Sequence, residues 1–190
     1  MSRIHTRFSG LLASCRMMVL AAGLFFPAAA QADTLADLKV IPSKSFPEIS
    51  YKDTKWKERT LRSDLGALTI VHLWATWCEP CIEELPQVDA IQEKFGPYGL
   101  KVIAISMDEA NDPKTATKII TFLKRLKITH LFPYFEAGSG IAQKAGIQGM
   151  PMSFFIDSSG DEIAFAEGAL DWKKKKVVDF IALHLPPAKQ

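Results

Sequence analysis

Cysteine is scarce in this sequence: 190 residues hold three, Cys15, Cys78 and Cys81. That scarcity excludes a small scaffold stapled by several disulfides. A zinc module needs about four ligands. No second C-x-x-C is present, and the four histidines (His5, His72, His130 and His184) do not cluster along the chain. No apolar run reaches the roughly 20 residues that span a bilayer. There is no internal repeat, no low-complexity segment and no basic stripe of the kind that binds nucleic acid. Acids are missing altogether before Asp33.

That last absence marks out the N-terminus. Arg3, His5, Arg7 and Arg16 make a basic leader, and an apolar stretch interrupted by Pro27 follows over 17–30. Ala30-Gln31-Ala32 then gives an A-x-A pattern before the polar shift at Asp33. This reads as a secretory signal peptide over 1–32, cleaved after Ala32, and hence as a periplasmic or exported protein. The alternative is an uncleaved segment that anchors the chain in the membrane. Cys15 sits in a lipoprotein-like box, but the apolar core follows it instead of preceding it, so that reading is set aside. Without the three leader arginines the chain has 20 basic and 21 acidic residues, a net charge of −1. Lys173 to Lys176 reads as a solvated helix start.

Export makes the remaining cysteines informative. A chain sent to an oxidising compartment has kept two thiols, spaced as one C-x-x-C in "WATWCEPCIEELP". Ahead of it, 68–74 (LTIVHLW) is apolar and β-branched enough for a buried central strand. After it, Leu85, Val88, Ile91 and Phe95 recur at helical spacing until Gly96-Pro97, with Pro86 inside the helix. A second buried strand is expected over 100–106, a helix after Pro113, a short strand over 130–135 and a short helix over 139–145. A strand over 152–157 follows, paired with another over 162–167, and a last helix over 172–185. Residues 33–45 read as a flexible lead-in and 46–65 as a short hairpin ahead of the core. The expected class is α/β: a central mixed sheet flanked by helices, with an N-terminal β-hairpin extension, over a domain of 46–187.

A strand feeding a helix places Cys78 at the helix N-terminus, where free N–H groups and the macrodipole favour a thiolate. Cys81 lies one turn further on the same side, within reach of a small disulfide ring. Trp77 shields one flank and Pro80 stiffens the loop. Three readings stand side by side: a structural disulfide, part of a metal site, and a redox pair. A disulfide across two residues closes too small a loop to stabilise much, and a metal lacks further ligands. The redox reading gives Cys78 as nucleophile and Cys81 as resolving thiol.

"WATWCEPC" with Pro86 beyond it resembles thioredoxin, and "GMPMSFFID" over 149–157 resembles the strand that thioredoxin-like proteins enter through a cis-proline. "CIEELP" resembles the exported TlpA/ResA/DsbE branch of that superfamily, over about 45–185 of the chain. The resemblance implies a thioredoxin-like fold and a thiol–disulfide oxidoreductase with a Cys78–Cys81 disulfide. It implies Pro151 as the cis-proline facing that disulfide, and Trp77, Met150 and Pro151 as substrate-binding residues. Glu84 stands where the family carries an acid, suited to exchange the proton of Cys81. No cofactor is implied beyond the disulfide. The implied partners are client proteins with cysteine pairs, such as apocytochrome c or copper-site thiols, and a membrane thiol reductase as electron donor. His72 departs from the pattern, because thioredoxin has a buried acid there. It reads as a neutral core histidine or as a proton relay.

Glu79, Glu83 and Glu84 put negative charge around the pair, which should raise the thiolate pKa and make the couple reducing. Three other functions compete. A peroxiredoxin shares the fold but needs a threonine three residues before its cysteine, and Ala75 stands there. A copper(I) module could use Cys78 and Cys81 with Met150 and Met152, soft donors that serve equally as padding of a peptide surface. A binding-only domain has no use for an intact C-x-x-C.

Overall fold

The seven residues of LTIVHLW leave no position for a solvated face, and the structure gives them none. They form β4 (Leu68–Trp74), with all seven side chains buried at the centre of an eight-stranded sheet. This computed structural model describes residues 35–109, 112–136, 138 and 140–187. The basic leader and its expected cleavage point lie outside the described residues.

The other strands are β1 (Lys39–Ser45), β2 (Ser50–Lys52), β3 (Glu58–Thr60), β5 (Leu100–Ser106), β6 (Pro133–Phe135), β7 (Met152–Asp157) and β8 (Asp161–Glu167). The helices are α1 (Glu79–Phe95), α2 (Pro113–Arg125), α3 (Ile141–Lys144) and α4 (Lys175–Leu183). The sheet order is β1-β8-β7-β4-β5-β6-β2-β3. Strands β4, β5 and β6 are parallel, as strand–helix–strand units require. The β7–β8 hairpin adds antiparallel strands on one side, and the β2–β3 hairpin adds them on the other.

Alternation along β4 divides the core. Leu68, Ile70 and Trp74 face a cluster that includes Leu85 and Val88 of α1, Ile119 of α2 and Val177 and Ile181 of α4. Val71 and Leu73 face a second cluster with Phe46, Ile49, Tyr51 and Ile141 of α3. The two faces are unequally covered: the three longer helices share one face, and short segments close the other.

Local chemistry sets the element ends. Asp112 accepts from the N–H groups of Lys114 and Thr115 and so caps α2, with Pro113 at its first position. Gly99, at φ 97°, turns the chain from α1 into β5 in a conformation that disfavours other residues. The Asp89 carboxylate on α1 accepts from the backbone N–H groups of Thr129, His130 and Leu131. Those bonds pin the loop that leads into β6. Asp64 is buried and receives hydrogen bonds from Tyr51 at 2.9 Å, Lys101 at 2.9 Å and Arg59.

A flexible lead-in was expected over 33–45, and the described residues 35–45 depart from that. Lys39–Ser45 is a strand, paired antiparallel with β8 at the sheet's outer edge. Leu38 is buried in the larger core cluster, and the Ala36 N–H donates to Ala169 O at 2.7 Å. The ordered domain therefore starts before 46. The misreading has a physical cause: an edge strand packs few side chains, so KVIPSKS carries no alternation. Its register shifts between Val40 and Lys44, where Pro42 falls.

Candidate active site

The end of β4 is held before the cysteines begin. Met107 N–H donates to Trp74 O at 2.8 Å. Asp108, just after β5, accepts from both the N–H and the hydroxyl of Thr76, the latter at 2.5 Å. Ser106 Oγ donates to the same carboxylate at 2.6 Å. This knot fixes the Ala75-Thr76-Trp77 loop, which delivers Cys78 as the N-cap of α1. The Cys78 carbonyl accepts the Ile82 N–H at 3.1 Å, and Pro80 occupies the first turn, where its missing N–H costs nothing.

Cys78 and Cys81 are joined in a disulfide with their Cα atoms 5.3 Å apart. Cys81 is fully buried, while Cys78 keeps 6% of its surface exposed. Cys78 lines a groove of about 600 Å³ with Trp77, Glu79, Pro80, Met107, Ile147 and Met150, and Cys81 does not reach it. Cys78 was expected to be an exposed nucleophile and Cys81 the resolving thiol; of the two, Cys78 alone reaches the groove, yet it is nearly buried. Trp77 is 69% exposed on the groove's rim. The Met150–Pro151 peptide bond is cis, and the Pro151 carbonyl accepts from Gly168 N–H at 2.9 Å. Met152 is buried in β7 opposite Leu73 and does not line the groove.

The three acids expected around the pair separate. Glu79 and Glu83 are exposed on α1. Glu84 is buried, one helical turn beyond Cys81. Its Oε2 accepts from Leu170 N–H at 2.8 Å and from the Trp172 indole N–H at 3.1 Å. Burial pushes the carboxyl up to about 7, against the opposing pull of those two hydrogen bonds. Glu84 is therefore a proton-holding group near neutral pH, and below that range it adds no negative charge beside Cys81. The electrostatic case for a reducing couple then rests on Glu79 and Glu83.

His72 stands behind Glu84 on β4. Its position in the two-residue alternation turns it toward the face covered by α1, and its ring is completely buried. Nδ1 lies 2.9 Å from Ser153 Oγ, on the residue directly opposite in β7. Nε2 lies 3.6 Å from Glu84 Oε1. Burial lowers the imidazole to about 3, so the contact is not an ion pair. Leu170, Trp172 and Ser153 escaped sequence reasoning. The signals were faint: a buried indole needs an acceptor, and Ser153 is the one hydroxyl inside the apolar run MSFFID.

No group of three or more histidine, cysteine or acidic side chains placed to hold a metal occurs among the described residues. Ala75 is buried and has no hydroxyl to offer Cys78, and the neighbouring Thr76 hydroxyl is engaged by Asp108.

The fold and the site have relatives. The chain is 29% identical over 126 residues to the thiol-disulfide oxidoreductase ResA of Bacillus thuringiensis subsp. konkukian, covering 66% of this chain and 69% of that protein. It is 26% identical over 146 residues to the sporulation thiol-disulfide oxidoreductase A of Bacillus subtilis, covering 76% and 82%. The crystal structure of a putative thiol:disulfide interchange protein DsbE from Chlorobium tepidum superposes with a TM-score of 0.63 at 23% identity, covering 76% of this chain and 98% of that one. That likeness shows the thioredoxin-like fold. A model of the AhpC/TSA family matches residues 42–161, well over half of the sequence and the whole of the dithiol region. On that match, the chain belongs to the AhpC/TSA family, in its thioredoxin-like form.

Proposed function

We propose that this thiol–disulfide oxidoreductase works outside the cytoplasm as a reductant of client disulfides. The observation that carries the direction is the charge of the groove. Among the described residues that line it, Glu79 alone is charged and none is basic. A Cys78 thiolate is then stabilised by the N-terminus of α1 but by no cation, with exposed Glu79 and Glu83 opposing it. A less stabilised dithiol is a stronger reductant.

In this reading the Cys78 thiolate attacks one sulfur of a client disulfide and the client's other sulfur leaves as a thiolate. Cys81 loses its proton to Glu84 and attacks the Cys78 sulfur of the mixed disulfide. The client is released with two thiols and has gained two electrons, and Cys78–Cys81 is left oxidised. A dithiol donor, for which a membrane thiol reductase is the expected class, reverses the last state. As Cys81 is freed, the protonated Glu84 returns its proton. Trp77, Met150 and Pro151 would receive the client backbone and the residues beside its cysteine. The client class is exported proteins with paired cysteines, such as apocytochrome c or copper-site thiols. Export is supported by the basic leader and A-x-A pattern. Among the described residues, no helix is long and apolar enough to cross a membrane.

The test is the midpoint potential of the full chain, equilibrated with glutathione or dithiothreitol and read by thiol alkylation. A value below about −220 mV supports a reductant. A value near about −120 mV makes it an oxidant and overturns the charge argument. A Cys81→Ser chain would then hold clients as mixed disulfides for identification.

A further inference from the structure

Two buried polar atoms face each other beside the dithiol, and neither has another partner: His72 Nε2 and Glu84 Oε1, 3.6 Å apart. Leaving either unpaired in a dry core is costly, so a contact just beyond bonding distance is where a hydrogen bond should close. Catalytic hydrogen bonds are often long in a resting structure. On the far side of the ring, Nδ1 sits at bonding distance from Ser153 Oγ, and a serine hydroxyl can donate or accept.

Resting on the dithiol reading above, we propose that Ser153, His72 and Glu84 form one buried hydrogen-bonded chain. In it, His72 is the positioning residue that lets Glu84 hold or release the Cys81 proton. The arrangement has two closed forms. With Glu84 protonated, its Oε1–H donates to Nε2, and Nδ1–H donates to Ser153 Oγ. With Glu84 ionised, Nε2–H donates to Oε1, and the Ser153 hydroxyl turns to donate to Nδ1. The imidazole carries one proton in both forms, so no charged ring is ever buried. The two forms differ by one proton, lost when Glu84 ionises and regained when it is protonated, and the ring tautomer follows the state of Glu84.

The surroundings favour this exchange over a fixed ion pair. Glu84 lies one turn beyond Cys81 on its own helix, and its carboxylate is faced by the Leu170 N–H and the Trp172 indole from the segment after β8 and by His72 from β4. The ring of His72 is faced by Ser153 from β7 and lies edge-on to Trp172, with centroids 5.9 Å apart. None of these partners carries a fixed charge. Oε2 is held by the same two donors whichever form Glu84 takes, which leaves Oε1 as the atom that changes role.

Tautomers of a single histidine are read from its two ring 15N shifts. The experiment is a titration of the oxidised, 15N-labelled full chain from pH 5 to 9, with a 13C label on the Glu84 carboxyl and His72→Asn used for assignment. The expected result is Nδ1–H at low pH and Nε2–H at high pH, changing together with the Glu84 carboxyl shift. In Glu84→Gln the ring should stay Nδ1–H throughout, because the amide NH₂ donates to Nε2. A single tautomer across the Glu84 titration overturns the proposal, and so does an imidazolium at any point in that range. Kinetics give a second reading. His72→Gln, whose amide can turn to donate or accept, should keep thiol exchange at pH 7 within about threefold, and His72→Phe should lose about tenfold or more. Equal rates in the two variants would overturn the proposal. Failure of the wild-type chain to exchange thiols at all would sink the functional reading and leave the tautomer result standing.

Discussion

The indole N–H of Trp172 donates to Glu84 Oε2 across 88 residues of sequence, and so a residue just ahead of the last helix holds the acid beside the dithiol. That bond and the Leu170 N–H both favour the ionised carboxylate, against the burial that favours the neutral acid. The balance leaves Glu84 near 7, and it can be moved from a distance.

Trp172→Phe removes one of the two donors to Oε2. Glu84 should then titrate above its present value of about 7. The pH at which it can accept the Cys81 proton rises with it, so the acid limb of thiol exchange should move to higher pH. A 13C titration of the carboxyl and a pH–rate profile check this together. The lost hydrogen bond and the smaller ring should also lower stability by about 1–3 kcal/mol.

The same pair shapes stability against pH. His72 has a folded value near 3, below the ordinary 6.5, so its contribution is complete above pH 6.5 and is lost as the pH falls toward 3. Glu84 is raised from 4.5 to about 7, so its contribution is complete below pH 4.5 and is lost as the pH rises toward 7. Between pH 4.5 and 6.5 the two slopes oppose each other. The wild-type chain should show a plateau there in urea midpoints, and each variant should lose it. Glu84→Gln should gain stability with pH across the acid range. His72→Asn should lose stability from pH 4.5 to 7. A second acid-side loss comes from Asp64, which burial opposes but which its hydrogen bonds to Arg59, Lys101 and Tyr51 hold at about 2. Its contribution is complete above pH 3.8 and falls away toward 2, outside the plateau.

How far the sequence carried these results depends on the kind of interaction. The LTIVHLW and MSFFID runs announced their strands because full burial demands an unbroken apolar run, whereas the cysteine spacing left a disulfide, a metal site and a redox pair open, and only the family resemblance implied the Cys78–Cys81 bond. Glu84 was singled out by the resemblance, which puts an acid three residues after Cys81, but its burial was not legible, because EEL offers no cue of its own that tells the buried acid from the exposed Glu83. That distinction comes from Leu170 and Trp172, which reach the site only when β8 has been laid beside β7. His72 and Ser153 are 81 residues apart and meet through strand register, which no local pattern encodes.

Trp77 supplies an exposed ring on the groove's rim and packs against little. Trp77→Ala should leave the urea midpoint within about 0.5 kcal/mol of wild type. Exchange with dithiothreitol should change less than about threefold, while exchange with a protein disulfide should fall about tenfold, the loss of one aromatic anchor. Parallel assays on the small and the large substrate separate the two effects.

Asp89 acts on the scaffold alone. Its carboxylate gathers three backbone N–H groups from the loop before β6, and although burial works against ionisation, those bonds hold its pKa below the usual range. Asp89→Ala leaves the three donors without their acceptor and should destabilise the fold by about 2–4 kcal/mol. The dithiol midpoint should stay where it was, since no bond of Asp89 reaches α1's first turn. Urea unfolding beside redox equilibration checks both halves.

Strand β1 has a practical side. It lies along β8 with an interrupted register, a proline in its middle and lysines at both ends, Lys39 against Glu167 at 2.7 Å and Lys44 against Glu162 at 3.2 Å. Such a strand offers poor purchase to another chain. A protein trimmed to begin at residue 46, where composition alone would place the domain, would uncover the regular edge of β8 and bare a ladder of unpaired backbone groups. Self-association of that shortened molecule would reflect where it was cut, and its thiol chemistry would be measured on an aggregate.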